Sequence, residues 1–171
     1  MEQHHTAKVM YVQRKGVYKC DGLVTENRGV ALQVKVADCF PVFLFSEDTK
    51  VKGVLHAGWR GVSKGIIENA RKIFSSLTSA KIISVIGPGI CPKCYEVGEE
   101  FFTHFKKYKN FLKRKDKRVF LNLFGVIKEK LKENGIFYTI SGMYAPLKMK
   151  IFTLIGGEIE KKEILESSKR H

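Results

Sequence analysis

A cysteine and a histidine end two neighbouring apolar runs of this chain. Val30 to Val36 leads through Ala37 and Asp38 to Cys39, and Val51 to Leu55 leads directly to His56. A thiolate and an imidazole held side by side can bind a soft transition metal or work as a nucleophile with its base. His5, next to His4 ahead of the first apolar run, offers a further nitrogen. Two histidines and a cysteine with an open fourth position form the donor pattern of a catalytic zinc, which makes a bound water or substrate oxygen reactive near neutral pH. Taken singly, each residue has a plainer reading: Cys39 as a small buried hydrophobe, His56 as a satisfied core polar group, His4 and His5 as an exposed pair. Asp38 is positioned in the sequence to orient a ligand from behind. Beyond His56 the chain runs Ala57-Gly58-Trp59-Arg60-Gly61. Its glycines allow a sharp bend ahead of a helix, where free N–H groups attract an anion, and Arg60 adds a two-pronged donor. Trp59 either fills core or stacks on a flat ring. Cys94 lies in a loop punctuated by glycine and proline just before a helix, a setting that lowers a thiol pKa; a loop cysteine with no role fits the spacing equally well.

These residues need a strand pair to bring them together. Ser46 to Lys50 is a five-residue polar turn between Pro41–Phe45 and Val51–Leu55, so the two segments are expected to pair as a hairpin. Upstream, Ala7 to Val12 and Val17 to Cys20 read as strands joined by a turn at Gln13 to Gly16. Asp21-Gly22 then opens a loop, and Leu23-Val24-Thr25 is a short apolar piece. Downstream, the helical spacing of Ile66, Ile67, Ala70, Ile73, Phe74 and Leu77 predicts a helix over Ser63 to Leu77. A strand from Lys81 to Ile86 ends in the breaker Gly87-Pro88-Gly89, and acids in the first turn favour a helix from Glu99 to about Lys107. Asn122 is a plausible cap for a helix that stops at Gly135. Ile136 to Ile140 and Met149 to Ile155 read as late strands and Ile159 to His171 as a fraying charged tail. The expected architecture is a layered α/β fold with a mixed β-sheet core flanked by helices.

With 171 residues, the chain predicts a single domain over positions 1–171. Its 44% hydrophobic and 28% charged residues argue against disorder. No apolar run reaches membrane-spanning length and the N-terminus lacks a signal peptide's apolar region, which makes the cytosol the expected address. Four cysteines suit that compartment; Cys91 and Cys94 have CxxC spacing, but no second CxxC completes a zinc knuckle. The net charge of +14 admits a nucleic acid or an acidic substrate. Much of it lies in Lys106 to Lys109 and Lys113 to Arg118, read as a solvated face away from the motif loops, and no nucleic-acid motif accompanies it. A nucleic-acid partner is therefore not expected, while a homo-oligomer remains compatible with the sequence.

Three segments carry a resemblance: Ala37-Asp38-Cys39-Phe40-Pro41, His56-Ala57-Gly58-Trp59-Arg60-Gly61, and Gly87-Pro88-Gly89-Ile90 through Cys94-Tyr95-Glu96-Val97-Gly98. In this order they resemble the signature motifs of the laccase-domain family, whose members carry the names multicopper polyphenol oxidase and purine nucleoside phosphorylase. The likeness extends weakly to Asp21 through Thr25 and to the helix after Asn122. It implies a zinc bound by His5, Cys39 and His56. Two departures stand out. The chain starts almost at the first metal motif, so the N-terminal segment of typical members is expected to be missing, and Thr6 replaces a motif glycine. Phe152 to Gly157 stands where the family carries a Ser-x-Arg-Arg sequence, which shifts the burden of phosphate binding to Arg60.

The resemblance implies a zinc-dependent purine nucleoside phosphorylase acting on adenosine or inosine with phosphate, with adenosine deamination as a companion activity. Copper fits poorly, because a multicopper cluster needs more histidines than one three-donor site provides. The alternatives are a cysteine hydrolase or deamidase using Cys39 and His56, and a basic RNA-binding or regulatory domain without catalysis.

Overall fold

The apolar run from Phe40 to Ser46 has no polar side because both of its faces are covered. The computed structural model describes residues 1–140, 150–155 and 158–163. Five strands come first: β1 (Val9–Tyr11), β2 (Gly22–Thr25), β3 (Leu32–Val36), β4 (Phe40–Ser46) and β5 (Lys52–Ala57). Helices α1 (Trp59–Ser63) and α2 (Ile66–Leu77) precede β6 (Ile82–Ile86), β7 (Glu96–Val97) and the short α3 (Phe101–His104). A 3-10 turn over Lys106–Phe111 leads to β8 (Leu112–Lys115) and β9 (Arg118–Leu121), then α4 (Leu123–Glu133) and β10 (Ile136–Ile140). Strands β11 (Lys150–Ile155) and β12 (Glu158–Glu163) are the last described elements.

The central sheet has the order β1-β2-β5-β4-β6-β10, with parallel pairing at both edges and antiparallel pairing in the middle. Period-2 alternation sends Val42 and Leu44 to one face, where they meet Ile66, Ile67, Ala70 and Phe74 of α2 and Val126, Ile127 and Leu131 of α4. Phe43 and Val54 point the other way, onto Leu32, Val34, Val36 and Phe152 of a second sheet ordered β12-β11-β3. The mixed α/β architecture expected from the sequence is thus a helix layer, a central sheet and a smaller sheet, with a third sheet ordered β7-β9-β8. Full burial of each large side chain here contributes about 1.5–3 kcal/mol. Among the described residues no helix is long and apolar enough to cross a membrane.

The β4–β5 hairpin forms as expected, and Asn122 caps α4 by accepting from the Gly125 N–H at 2.9 Å. Other expectations are corrected. Val17 to Cys20 does not pair with the first strand: β1 lies parallel to β2, and only Lys19 makes an isolated bridge, to Glu2. The helix expected over Ser63 to Leu77 is two helices, broken at Gly65 with φ 92°, a left-handed conformation that a side chain resists. The helix after Glu99 shortens to α3 and the 3-10 turn. The basic segment is a β-hairpin, with Asp116 and Lys117 at φ 51° and 63° in its two-residue turn. It does not stand apart from the motif loops, since Pro92 and Lys93 line a groove with it. Residues 159–163, read as the start of a fraying tail, belong to β12 and pair with β11. Gly156, Gly157, Met149 and the tail beyond residue 163 lie outside the described residues.

Candidate active site

Strand register brings the site together. Gly22 lies opposite Leu55 and Phe40 opposite Ala57, so the residues just before β2 and β4 flank the end of β5. There the Asp21 carbonyl accepts from the His56 backbone N–H at 2.7 Å, and Asp21 Oδ1 lies 2.9 Å from His56 Nδ1. The Asp21 carboxylate is fully buried. It also accepts from the backbone N–H groups of His4, His5 and Thr6 at 3.2, 3.0 and 2.8 Å and from the Thr6 hydroxyl at 2.7 Å. One carboxylate therefore fastens the N-terminal segment over the end of β5. His5, at φ 56°, turns back so that its ring centroid lies 4.8 Å from that of His56.

The donor atoms of His5, Cys39 and His56 all lie within 4.8 Å of one another. A tetrahedral zinc with bonds of about 2.0–2.3 Å needs donors roughly 3.3–3.6 Å apart, so an inward movement of about 1 Å completes the set. Gly58 makes room for it: a Cβ there would stand 2.9 Å from Cys39 Sγ and 3.4 Å from His5 Nδ1. With Nδ1 of His56 held by Asp21, its Nε2 is the nitrogen left to bind a metal. The residues present fit a soft divalent ion.

The surrounding groups shift the titration of the cluster and of its neighbours. Burial opposes charge on His56, but the hydrogen bond to Asp21 and the neighbouring Cys39 outweigh it and raise the imidazole to about 9. Burial and the His56 charge lower His5. Burial alone would raise Asp21; the bonds from His56 and Thr6 overcome it and hold the carboxyl well below the usual carboxylate range. Tyr95 is pushed up to about 12 by burial and by the charges of Cys39 and Asp38, so its hydroxyl keeps its proton.

His5, Cys39 and His56 are the expected residues that the fold brings together. Arg60 is exposed at their edge, with its guanidinium 4.5 Å from the Trp59 ring centre, and its charge bears on both His5 and Tyr95. Four expectations are corrected. Asp38 is not the residue behind the ligands: its carbonyl accepts from Ile90 at 2.8 Å, tying the first motif to the third, and Asp21 takes the orienting place. Cys94 is not a free thiol, because it is joined to Cys91 in a disulfide. Gly58 serves the donor cluster sterically, and the segment 58–61 is the start of five-residue α1 rather than an open loop. Trp59 packs against Phe101 and His104 at 4.6 and 5.1 Å and carries Arg60, so its ring is already engaged. Sequence reasoning missed Asp21 and Tyr95 as site residues, although both lie in segments that carried the family likeness. Thr6, the departure from the motif glycine, adds a hydroxyl to the Asp21 cage.

Fold and site together define a mixed α/β protein with a His-Cys-His group able to hold a metal. The sequence model of the multi-copper polyphenol oxidoreductase laccase family matches residues 1–144, and the chain belongs to that family. A Rickettsia prowazekii protein named purine nucleoside phosphorylase is 36% identical over 124 residues, 71% of this chain and 46% of that protein. An Aquifex aeolicus protein of the same name is 34% identical over 136 residues, 78% of this chain and 64% of that one. A protein named adenosine deaminase, from an unknown prokaryotic organism, is 37% identical over 91 residues, 51% of this chain and 34% of its own length. Among solved structures, Bacillus licheniformis YfiH has a TM-score of 0.76 at 23% identity, covering 84% of this chain and 62% of that one. Geobacillus stearothermophilus YlmD gives 0.72 at 24%, covering 81% and 60%. The chain thus spans from 46% to 64% of the length of these two phosphorylase-named relatives.

Proposed function

We propose that this chain is a zinc-dependent purine nucleoside phosphorylase working in the cytosol as a single domain. The observation that carries the reading is the convergence of His5, Cys39 and His56 around a space that Gly58 keeps open, with Asp21 locking the His56 ring. The names of the phosphorylase relatives supply the substrate class.

In phosphorolysis a phosphate oxygen bonds to the anomeric carbon of the ribose while the bond to the purine nitrogen breaks, and the base leaves with the electron pair and takes up a proton. Zinc held by His5, Cys39 and His56 would supply Lewis-acid polarisation at the reacting centre. Arg60, the exposed cation at the cluster's edge, holds the phosphate dianion with its planar fork. The Trp59 ring beneath it limits the directions that fork can take. Tyr95 keeps its hydroxyl proton and serves as a neutral hydrogen-bond donor toward the substrate. Adenosine deamination, the activity in the name of one relative, is the companion reaction on the same nucleoside.

A second reading rests on the same geometry without metal. Asp21, His56 and Cys39 in sequence are the orienter, base and nucleophile of a cysteine hydrolase. Metal analysis of the purified chain, combined with phosphate-dependent release of free base from adenosine and inosine, separates the two. Stoichiometric zinc with phosphate-dependent release supports the phosphorylase. Metal-free protein whose activity disappears on thiol alkylation and ignores phosphate supports the hydrolase.

A further inference from the structure

The basic hairpin has two unlike faces. Leu112, Arg114, Val119 and Leu121 share the inward side, where Arg114 bonds Glu99 at 3.0 and 2.6 Å and lies over Phe102. Lys113 opposite Phe120, and Lys115 opposite Arg118, share the outward side. That side forms one wall of an open groove of about 670 Å³, whose other wall is Pro92 and Lys93 of the third motif loop, with Phe111 in its lining. This volume is in the range that takes a small organic ligand, about 300–1,000 Å³.

The charge of the groove is only partly compensated. Five of its lining residues are cationic and none is acidic. Arg114 is neutralised by Glu99, and Arg118 faces Glu96 at 3.5 Å. Lys93, Lys113 and Lys115 have no carboxylate partner among the described residues. Lys115 stands directly opposite Arg118 across the strand pair, and of these two like charges only Arg118 has a carboxylate beside it, that of Glu96. Phe111 and Phe120 add apolar surface to the same lining, with the Arg118 guanidinium 5.8 Å from the centre of the Phe120 ring. Cations spaced two residues apart along a strand, with aromatic rings in the same lining, match a ligand that combines a chain of phosphates with a planar base.

We propose that this groove is a nucleotide-binding site, separate from the His5, Cys39 and His56 cluster, which takes a nucleoside triphosphate with its phosphates on Lys93, Lys113 and Lys115 and its base against the apolar surface of Phe111 and Phe120, beside Arg118. The proposal does not rest on the phosphorylase reading. An uncharged nucleoside offers nothing for three lysines to hold, so the ligand is distinguished from a nucleoside substrate by its phosphates.

Calorimetric titration of the full chain with ATP, adenosine and inorganic tripolyphosphate, at low salt and at about 150 mM salt, tests it. ATP should bind with one equivalent in this groove, tripolyphosphate several-fold more weakly, and added adenosine should not displace ATP. The double variant Lys113→Glu/Lys115→Glu, confined to exposed side chains, should lower ATP affinity by about tenfold or more. Lys72→Glu/Lys81→Glu, the same change of net charge at two exposed positions outside the groove, should change it by less than about twofold. Equal losses in the two variants would reduce the effect to net charge and overturn the site. Tripolyphosphate binding as tightly as ATP would overturn the base seat on the phenylalanines. A single-stranded oligonucleotide of about twelve residues that binds far more tightly than ATP through the same lysines would overturn the nucleotide assignment in favour of nucleic acid.

Discussion

Replacing Asp21 with Asn removes one charge and one acceptor while keeping the shape of a fully buried side chain. The native carboxylate divides its work: Oδ2 accepts from the N–H groups of His4 and Thr6 and the Thr6 hydroxyl, while Oδ1 serves the His5 N–H and His56 Nδ1. An asparagine must turn its NH2 toward one of these groups of donors. The three donors on the Oδ2 side hold the carbonyl oxygen there, so the NH2 meets the His5 N–H and His56 Nδ1. The imidazole then relieves the clash by giving up its Nδ1 proton and accepting there, which leaves its remaining proton on Nε2, the nitrogen a metal needs. Two charge-assisted hydrogen bonds are lost at about 1.5–3 kcal/mol each, with partial recovery through the new tautomer, so metal-free stability should fall by roughly 3 kcal/mol. Zinc affinity should fall about 10–100-fold, as for other residues that orient a ligand. Chelator competition reads the affinity and urea unfolding of metal-free protein reads the stability. An Asp21→Asn chain that holds zinc as tightly as the native one would refute the claim that Asp21 sets the His56 tautomer.

Arg60→Lys should raise the phosphate concentration for half-maximal rate by about tenfold, the loss of one charge-assisted bond, and leave zinc content unchanged, whereas Cys39→Ser should strip zinc and turnover together; steady-state kinetics beside metal analysis would expose the reverse pattern. Gly58→Ala is compatible with the extended backbone at φ −82° and ψ 163°, yet its methyl would press on Cys39 Sγ, so it should weaken zinc at least tenfold at a cost of about 1–3 kcal/mol in stability. In metal-free protein the raised His56 contributes stability that is complete below pH 6.5 and lost as pH rises through about 9, while the depressed Asp21 contributes stability lost on acidification. Denaturant unfolding should therefore show falling stability from pH 6.5 to 9, and bound zinc, which requires a neutral ring, should abolish that fall; metal-free stability that climbs over this interval would contradict the ion pair.

Local pattern determined a good part of this protein. The turn at Ser46 to Lys50 and the apolar runs beside it are short-range features, so the β4–β5 hairpin, with Cys39 and His56 near its open end, was legible from spacing. Asn122 and Gly135 bracket α4 through interactions within a turn of chain. The residues named His5 as a possible ligand and the motifs supported it, but its route to the site depends on Asp21, which lies sixteen residues away and read only as the start of a loop. Tertiary pairing also decided the parallel β1–β2 contact, because strand partners are chosen by burial of whole faces and short strands near a turn carry no sign of the alternative. The charged hairpin was hidden because its alternation is broken on both faces, by Arg114 on the inward side and Phe120 on the outward side, and a pattern of four positions is drowned by the surrounding lysines. Gly65 broke a helix whose apolar spacing continues across it, since periodicity records which side faces the core and not the backbone angle at one position. Sequence spacing thus supplied the donors, and the register of β2, β5 and β4 around a buried carboxylate decided how they meet.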